Sequence, residues 1–283
     1  MGITLDETTP LPDPWHDPSY WVEAGPLESL LSSTAAPQTP HWRVMMFTST
    51  DGQQWSEGTF IAHSFYGLDL LIYNDVIILT GVPQSLPTDG EHIYALTSTR
   101  SVGWGSHAWP IAGPDGLADA SLHRSANGTI RAIYTTDDQG LSVAVRQGAE
   151  FIEEASTVMS EEALTDPTGC RWQGLDYLFA TRPSSSLISA SSADGIDYVE
   201  DDRFVWDGVQ APHCFVEDDT MWLLAQTGGG FGLPKYRVME DNGEFGPVQN
   251  LMSPGTMPFD SCTTPVLDRF GEDLLLFCAS WWE

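Results

Sequence analysis

Four residues recur at comparable points of a repeated phrase and could do chemistry together: Asp69, Asp119, Asp166 and Gln210. Carboxylates delivered to one pocket can divide acid and base work, because burial and shared charge raise the proton affinity of one of them. Asp166 precedes Pro167, a pairing that also suits a plain turn, and Asp69 also suits a strand end. Three histidines, His63, His123 and His213, fall near the same points. Imidazole can serve as an acid near neutral pH. With aspartate oxygens it can hold a metal, although no two of these histidines share a ligand-like spacing. A hydrogen-bonded structural role suits each of them as well.

The phrase that positions them is clearest over residues 164–227. Leu164-Thr165-Asp166-Pro167 leads through a turn to Leu175-Asp176-Tyr177-Leu178-Phe179-Ala180, and Val209-Gln210-Ala211-Pro212-His213 leads to Met221-Trp222-Leu223-Leu224-Ala225. Weaker copies begin near Leu68-Asp69, Ala118-Asp119 and Thr263-Thr264. Measured between Asp69, Asp119, Asp166, Pro212 and Thr264, the spacings are 50, 47, 46 and 52 residues. Strands repeating at such a period predict propeller blades; a β-sandwich with irregular hairpins is the alternative. Ser49-Thr50-Asp51-Gly52 and Ser192-Ala193-Asp194-Gly195 mark hairpins between strands. The last copy supplies only two strands, and the chain after residue 41 begins with two. Joined, they complete one blade and remove an exposed edge. The expectation is therefore an all-β, five-bladed propeller over residues 42–283, closed by pairing N-terminal and C-terminal strands in one blade. A proline-rich, irregular arm covers residues 1–41.

The 283 residues carry a formal net charge of −29, with Lys235 the single lysine. Such a chain repels a nucleic-acid backbone. A solvated acidic shell explains the charge better than an acidic cation pocket, since the acids are spread throughout. No apolar run reaches the roughly 20 residues of a membrane span, so neither nucleic acid nor a membrane is an expected partner. The N-terminus lacks a basic region followed by an apolar block, which predicts a cytoplasmic protein unless a signal has been trimmed. Cys170, Cys214, Cys262 and Cys278 are widely spaced and read as small buried thiols.

Five blades closed by both ends, with Ser-x-Asp-Gly hairpins, resemble the family-43 glycoside hydrolases and their relatives. The resemblance is best over Gln210-Ala211-Pro212-His213, the strand Trp222-Leu223-Leu224-Ala225, Gly228-Gly229-Gly230 and Gly246-Pro247. It implies Asp69 as general base and Asp166 as the carboxylate that orients and tunes the acid. It also implies a glutamate where Gln210 stands, and an amide cannot donate a proton as a carboxylic acid does. A small molecule or oligosaccharide is the implied ligand, with Asp119, His63, His123, His213, Trp104 and Trp172 as contacts. Aromatic rings at a propeller face suit sugar stacking or an apolar ligand; Trp172 also falls where a strand would bury it. No cofactor is expected, though a structural metal on the propeller axis fits the fold. Binding without hydrolysis, or recruitment to lyase, cyclase or isomerase chemistry, stays open beside hydrolysis.

Overall fold

A computed structural model of the chain describes residues 41–84, 90–99, 103–112, 118–125, 128–136, 140–148, 150–159, 163–227, 234–240, 243–252 and 262–282. The expected arm and the Gly228–Gly230 segment lie outside them. Most of the described residues are strand. In chain order these are β1 (His41–Ser49), β2 (Thr59–His63), β3 (Phe65–Tyr73), β4 (Val76–Pro83), β5 (His92–Thr99), β6 (Gly105–Ala112), β7 (Ala118–Arg124), β8 (Ile130–Thr135), β9 (Leu141–Gln147) and β10 (Glu150–Met159). There follow β11 (Thr165–Trp172), β12 (Leu175–Arg182), β13 (Ser186–Ser192), β14 (Val199–Glu200), β15 (Trp206–Asp207), β16 (Val209–Glu217), β17 (Thr220–Thr227), β18 (Pro234–Val238), β19 (Gln249–Asn250), β20 (Thr263–Phe270) and β21 (Asp273–Trp282).

Pairing follows a meander. β3 to β6, β7 to β10, β11 to β14 and β16 to β19 each pair in sequence order, with β15 added beside β13. β6 and β10 touch through a short parallel pairing, Phe151 opposite Ile111. The remaining sheet has the order β2-β1-β21-β20, with β1 antiparallel to β21 from His41 opposite Trp282 to Ser49 opposite Leu274. The first strands of the units meet in cyclic succession: β3 with β7, β7 with β11, β11 with β16, β16 with β20, and β20 with β3.

The cores lie between neighbouring sheets, which explains the second-strand sequences. In β4, Ile77 and Leu79 pack towards Phe277 and Val266, while Val76 and Ile78 pack towards Ala132 and Phe151. A strand covered on both faces reads as an unbroken apolar run rather than an alternating one. Each fully buried Leu or Ile contributes roughly 1.5–3 kcal/mol. The two Asp-Gly hairpins are twins. Asp51 Oδ1 accepts from the Gln53 and Gln54 N–H groups, and Asp194 Oδ1 accepts from those of Ile196 and Asp197. These bonds hold the Asp194 carboxyl down at about 2.

The cysteines are not free thiols. Cys170 in β11 is bonded to Cys214 in β16, and Cys262 to Cys278 in β21. The first bridge joins the first strands of adjacent units. Its partners stand 44 residues apart in sequence, close to the repeat period, so the repeat itself brings them side by side.

Candidate functional site

Every first strand carries one extra residue near its start. The register shifts fall between Tyr66 and Asp69, Ala118 and Ala120, Thr165 and Thr168, Gln210 and His213, and Thr263 and Val266. Within each shift one residue has positive φ: Gly67 (61°), Asp119 (35°), Asp166 (49°), Ala211 (47°) and Thr264 (47°). These bulges set the true alignment of the repeat. Gly67, not Asp69, matches Asp119 and Asp166, and Asp69 matches Ser121, Thr168, His213 and Val266.

A bulged residue loses its ladder partner, so its N–H needs an acceptor elsewhere. Neighbouring units supply it. The Asp166 N–H donates to the Asp119 carboxylate, and the Ala211 N–H donates to the Asp166 carboxylate and to Thr181 Oγ1 (3.1 Å). The Thr264 N–H donates to Gln226 Oε1 at 3.1 Å. Asp119 also lies against Gly67, where a Cβ would stand 2.8 Å from its Oδ1. Glycine is needed there both for the conformation and for the close approach.

Burial, reinforced by the charge of Asp166, pushes the Asp119 carboxyl up to about 7. Burial also raises Asp166, against the pull of hydrogen bonds from Thr165, Thr181 and the Ala211 N–H. Burial thus favours the neutral form of both carboxyls, and the charge of Asp166 favours a proton on Asp119. Tyr66 is raised too, by burial and by the charge of Asp119. Its ring stacks on Trp42 (5.8 Å, 26°), which meets Trp281 edge-on at 5.2 Å. All three rings are partly exposed. Tyr66 and Trp42 were missed in the sequence; aligning on Gly67 would have marked Tyr66 as the counterpart of Gln210.

One layer down, Asp69 is 5% exposed and bonded to three other units. Its Oδ2 accepts from Ser121 Oγ (2.9 Å) and the Leu122 N–H (3.2 Å). Its Oδ1 accepts from Thr168 Oγ1 (3.1 Å) and meets His213 Nδ1 at 2.9 Å. The other ring nitrogen of His213 contacts the Leu267 carbonyl at 2.9 Å. A carbonyl only accepts, so Nε2 carries hydrogen, and the Asp69–His213 contact shares one further proton. This layer closes the space beneath the Asp119–Asp166 pair. Above it the described residues enclose about 10 Å³ between Asp119, Asp166, Ala211 and Thr264, room for about one water.

The other sequence candidates are dispersed. The Gln210 amide turns away to donate to Ser185 Oγ at 2.8 Å. His63 is buried at the end of β2, with Nδ1 3.4 Å from Ser64 Oγ. Trp104 packs edge-on against Phe277. Trp172 is core: it is 8% exposed, and its Nε1 donates to the Asp219 carbonyl at 2.6 Å. His123 lies near the far ends of the first strands. Among the described residues no group of three or more His, Cys, Asp or Glu could hold a metal ion.

No family model matches the chain, and no curated protein matches it. Solved structures do. An exo-β-1,3-galactanase from Phanerochaete chrysosporium, crystallised with β-1,3-galactotriose, superposes with a TM-score of 0.59 at 12% identity. The match covers 84% of this chain but only 64% of that one. An α-L-arabinofuranosidase from Clostridium thermocellum gives 0.56 at 11% identity, over 73% of this chain and 79% of the other. A family 117 glycoside hydrolase from Zobellia galactanivorans gives 0.53 at 14%, over 76% and 84%. The fold is that of the glycoside hydrolase β-propellers. At these identities the likeness concerns the fold alone.

Proposed function

We propose that residues 42–283 form a single five-bladed propeller closed by β1 and β21, and that it acts on a carbohydrate where the first strands begin. The cyclic succession of β3, β7, β11, β16 and β20 supports the count, and the β1–β21 pairing supports the closure. The observation that carries the activity is the Asp119–Asp166 pair, two buried carboxyls at one mouth of the propeller, with burial raising both and the charge of Asp166 favouring a proton on Asp119. Glycosidic cleavage needs two roles: an acid protonates the leaving oxygen and a carboxylate activates water. Asp119 is the proton donor in this reading, and Asp166 receives the proton of the attacking water. The cleft between them suits that water. The sugar ring rests above it, against the Tyr66–Trp42–Trp281 cluster. Asp69 supports the site from below without touching substrate.

A panel of aryl glycosides and galacto-, arabino- and xylo-oligosaccharides tests this. Turnover is expected in the native chain, absent in Asp119→Asn and Asp166→Asn, and retained in Asp69→Asn. Full turnover by either of the first two variants would sink the assignment. One observation favours a second reading, binding without hydrolysis: Gln210 stands where the resemblance implies an acidic glutamate, and its amide is committed to Ser185. Calorimetric binding of an oligosaccharide with no product would select that reading.

A further inference from the structure

A second, larger cavity of about 400 Å³ opens at the opposite ends of the same strands, below the Asp69–His213 layer. That volume lies within the range of small-molecule sites. Every one of β3, β7, β11, β16 and β20 contributes to its lining, through residues such as Leu71, His123, Arg171, Phe215 and Asp268.

Two side chains give the cavity a chemistry. His123 is 2% exposed, and neither ring nitrogen has a hydrogen-bond partner among the described residues. Burial, with the charge of Arg131, drives it down to about 3, so the ring is neutral. A neutral imidazole offers one donor and one acceptor, which matches a hydroxyl group. Leaving both unsatisfied is costly. Arg124 stands at the rim. Its guanidinium lies over the Tyr73 ring (5.5 Å to the centroid) and against Gly128, where a Cβ would be 3.3 Å from Nη2. It is thus held in place, yet it has no carboxylate partner among the described residues of a chain with net charge −29. Arg171, on the same lining, is by contrast tied to Asp176 at 2.8 Å. A cation positioned but unpaired, and a buried ring that lacks hydrogen-bond partners, line one cavity, and together they fit a ligand bearing both an anion and hydroxyls.

We propose that this cavity is a binding site for a small polyhydroxylated carboxylate, of the size and class of a hexuronate. Arg124 takes the carboxylate, His123 takes a hydroxyl, and Leu71 and Phe215 cover the apolar ring face. The site is independent of the carboxylate pair at the other mouth.

The test is titration calorimetry of the full chain with D-glucuronate at pH 5, with D-glucose as the uncharged comparator. One site with a Kd of about 1 mM or tighter is expected from the ligand's size. Arg124→Gln changes an exposed residue, so the fold is retained, and it should weaken glucuronate at least tenfold without changing binding at the opposite mouth. Asp166→Asn should leave glucuronate binding unchanged. No binding at 10-fold that concentration, equal binding by Arg124→Gln, equal affinity for glucose, or loss of binding in Asp166→Asn would each overturn the proposal. The last would also locate the ligand at the Asp119–Asp166 mouth instead, separating the two sites' outcomes.

Discussion

Removing the buried Asp69 carboxylate should destabilise the fold strongly, whereas exchanging it for an amide should not. In Asp69→Ala, the Leu122 N–H and the His213 ring lose their partners inside the molecule. The Ser121 and Thr168 hydroxyls can rotate towards other acceptors; the backbone N–H and the ring, pinned by Leu267, cannot. Two buried orphans at about 1–3 kcal/mol each give a loss of about 4 kcal/mol. Breaking a buried pair by removing one partner gives a similar figure, roughly 3–5 kcal/mol. Against a total of about 5–15 kcal/mol, the loss is a large fraction. In Asp69→Asn the oxygen can still accept from Ser121 and Leu122. The new NH₂ donates to Thr168 and to His213 Nδ1, which becomes an acceptor once the ring carries only the hydrogen given to Leu267. The Leu122 N–H and the His213 ring are then both paired, only the rotatable Thr168 hydroxyl hydrogen must turn elsewhere, and the cost should stay within about 1 kcal/mol. Urea unfolding followed by tryptophan fluorescence reads both, as a shift in midpoint at constant slope. A loss below about 1 kcal/mol for the alanine variant would refute the accounting. So would equal losses for the two variants, since charge rather than hydrogen bonding would then govern the layer.

Three further outcomes are expected. Replacing Cys170 and Cys214 with serine should cost about 4 kcal/mol, and replacing Cys262 and Cys278 about 3 kcal/mol, following the loop lengths of 44 and 16 residues; thermal unfolding with and without reductant measures this, and an unchanged midpoint under reductant would argue against both bridges. Gly67→Ala should lose at least about 1 kcal/mol, because an L side chain is strained at φ 61° and its Cβ would press on Asp119; retained stability together with retained turnover would contradict it. Asp119 has a raised folded-state value, about 7 against an ordinary 3.8. Its contribution to stability is therefore present below pH 4 and is lost as pH rises towards 7. Asp119→Asn should gain on the native chain between pH 4 and pH 8 in thermal scans, and a pH-independent difference would disprove the shift.

The strand order was legible because two signals agreed: the near-constant spacing of the repeated phrase and the Asp-Gly turns at Gly52 and Gly195. The pairing of β1 with β21 followed from counting strands at the two ends. The repeat was read two residues out of register in the first unit. There Gly67-Leu68 takes the place of the Asp-Pro of the third unit, so the eye settles on Asp69, the nearest carboxylate. A bulge is a backbone event, and sequence marks it only through residues that tolerate positive φ. The disulfides were misread for a related reason. Cys170 and Cys214 are distant in the chain and adjacent only because their strands occupy equivalent places in neighbouring units. The lack of a hydrogen-bond partner for His123 among the described residues had no sequence signal at all, since it depends on what strands distant in the chain place around the ring.

The pairing of β1 with β21 also sets an order of events during synthesis. Partners in that ladder stand 225 to 241 residues apart. At translation rates of about 5–20 residues per second, the first hairpin waits roughly 10–50 s for its mate. Throughout that interval β1 presents an open edge, together with Val44 and Phe47, both fully buried in the finished molecule. β1 leaves the ribosome long before β21 and is thus among the last of the described strands to find its place. Shielding of that nascent edge, by a chaperone or by transient pairing with β2 alone, becomes a condition of yield rather than of final stability.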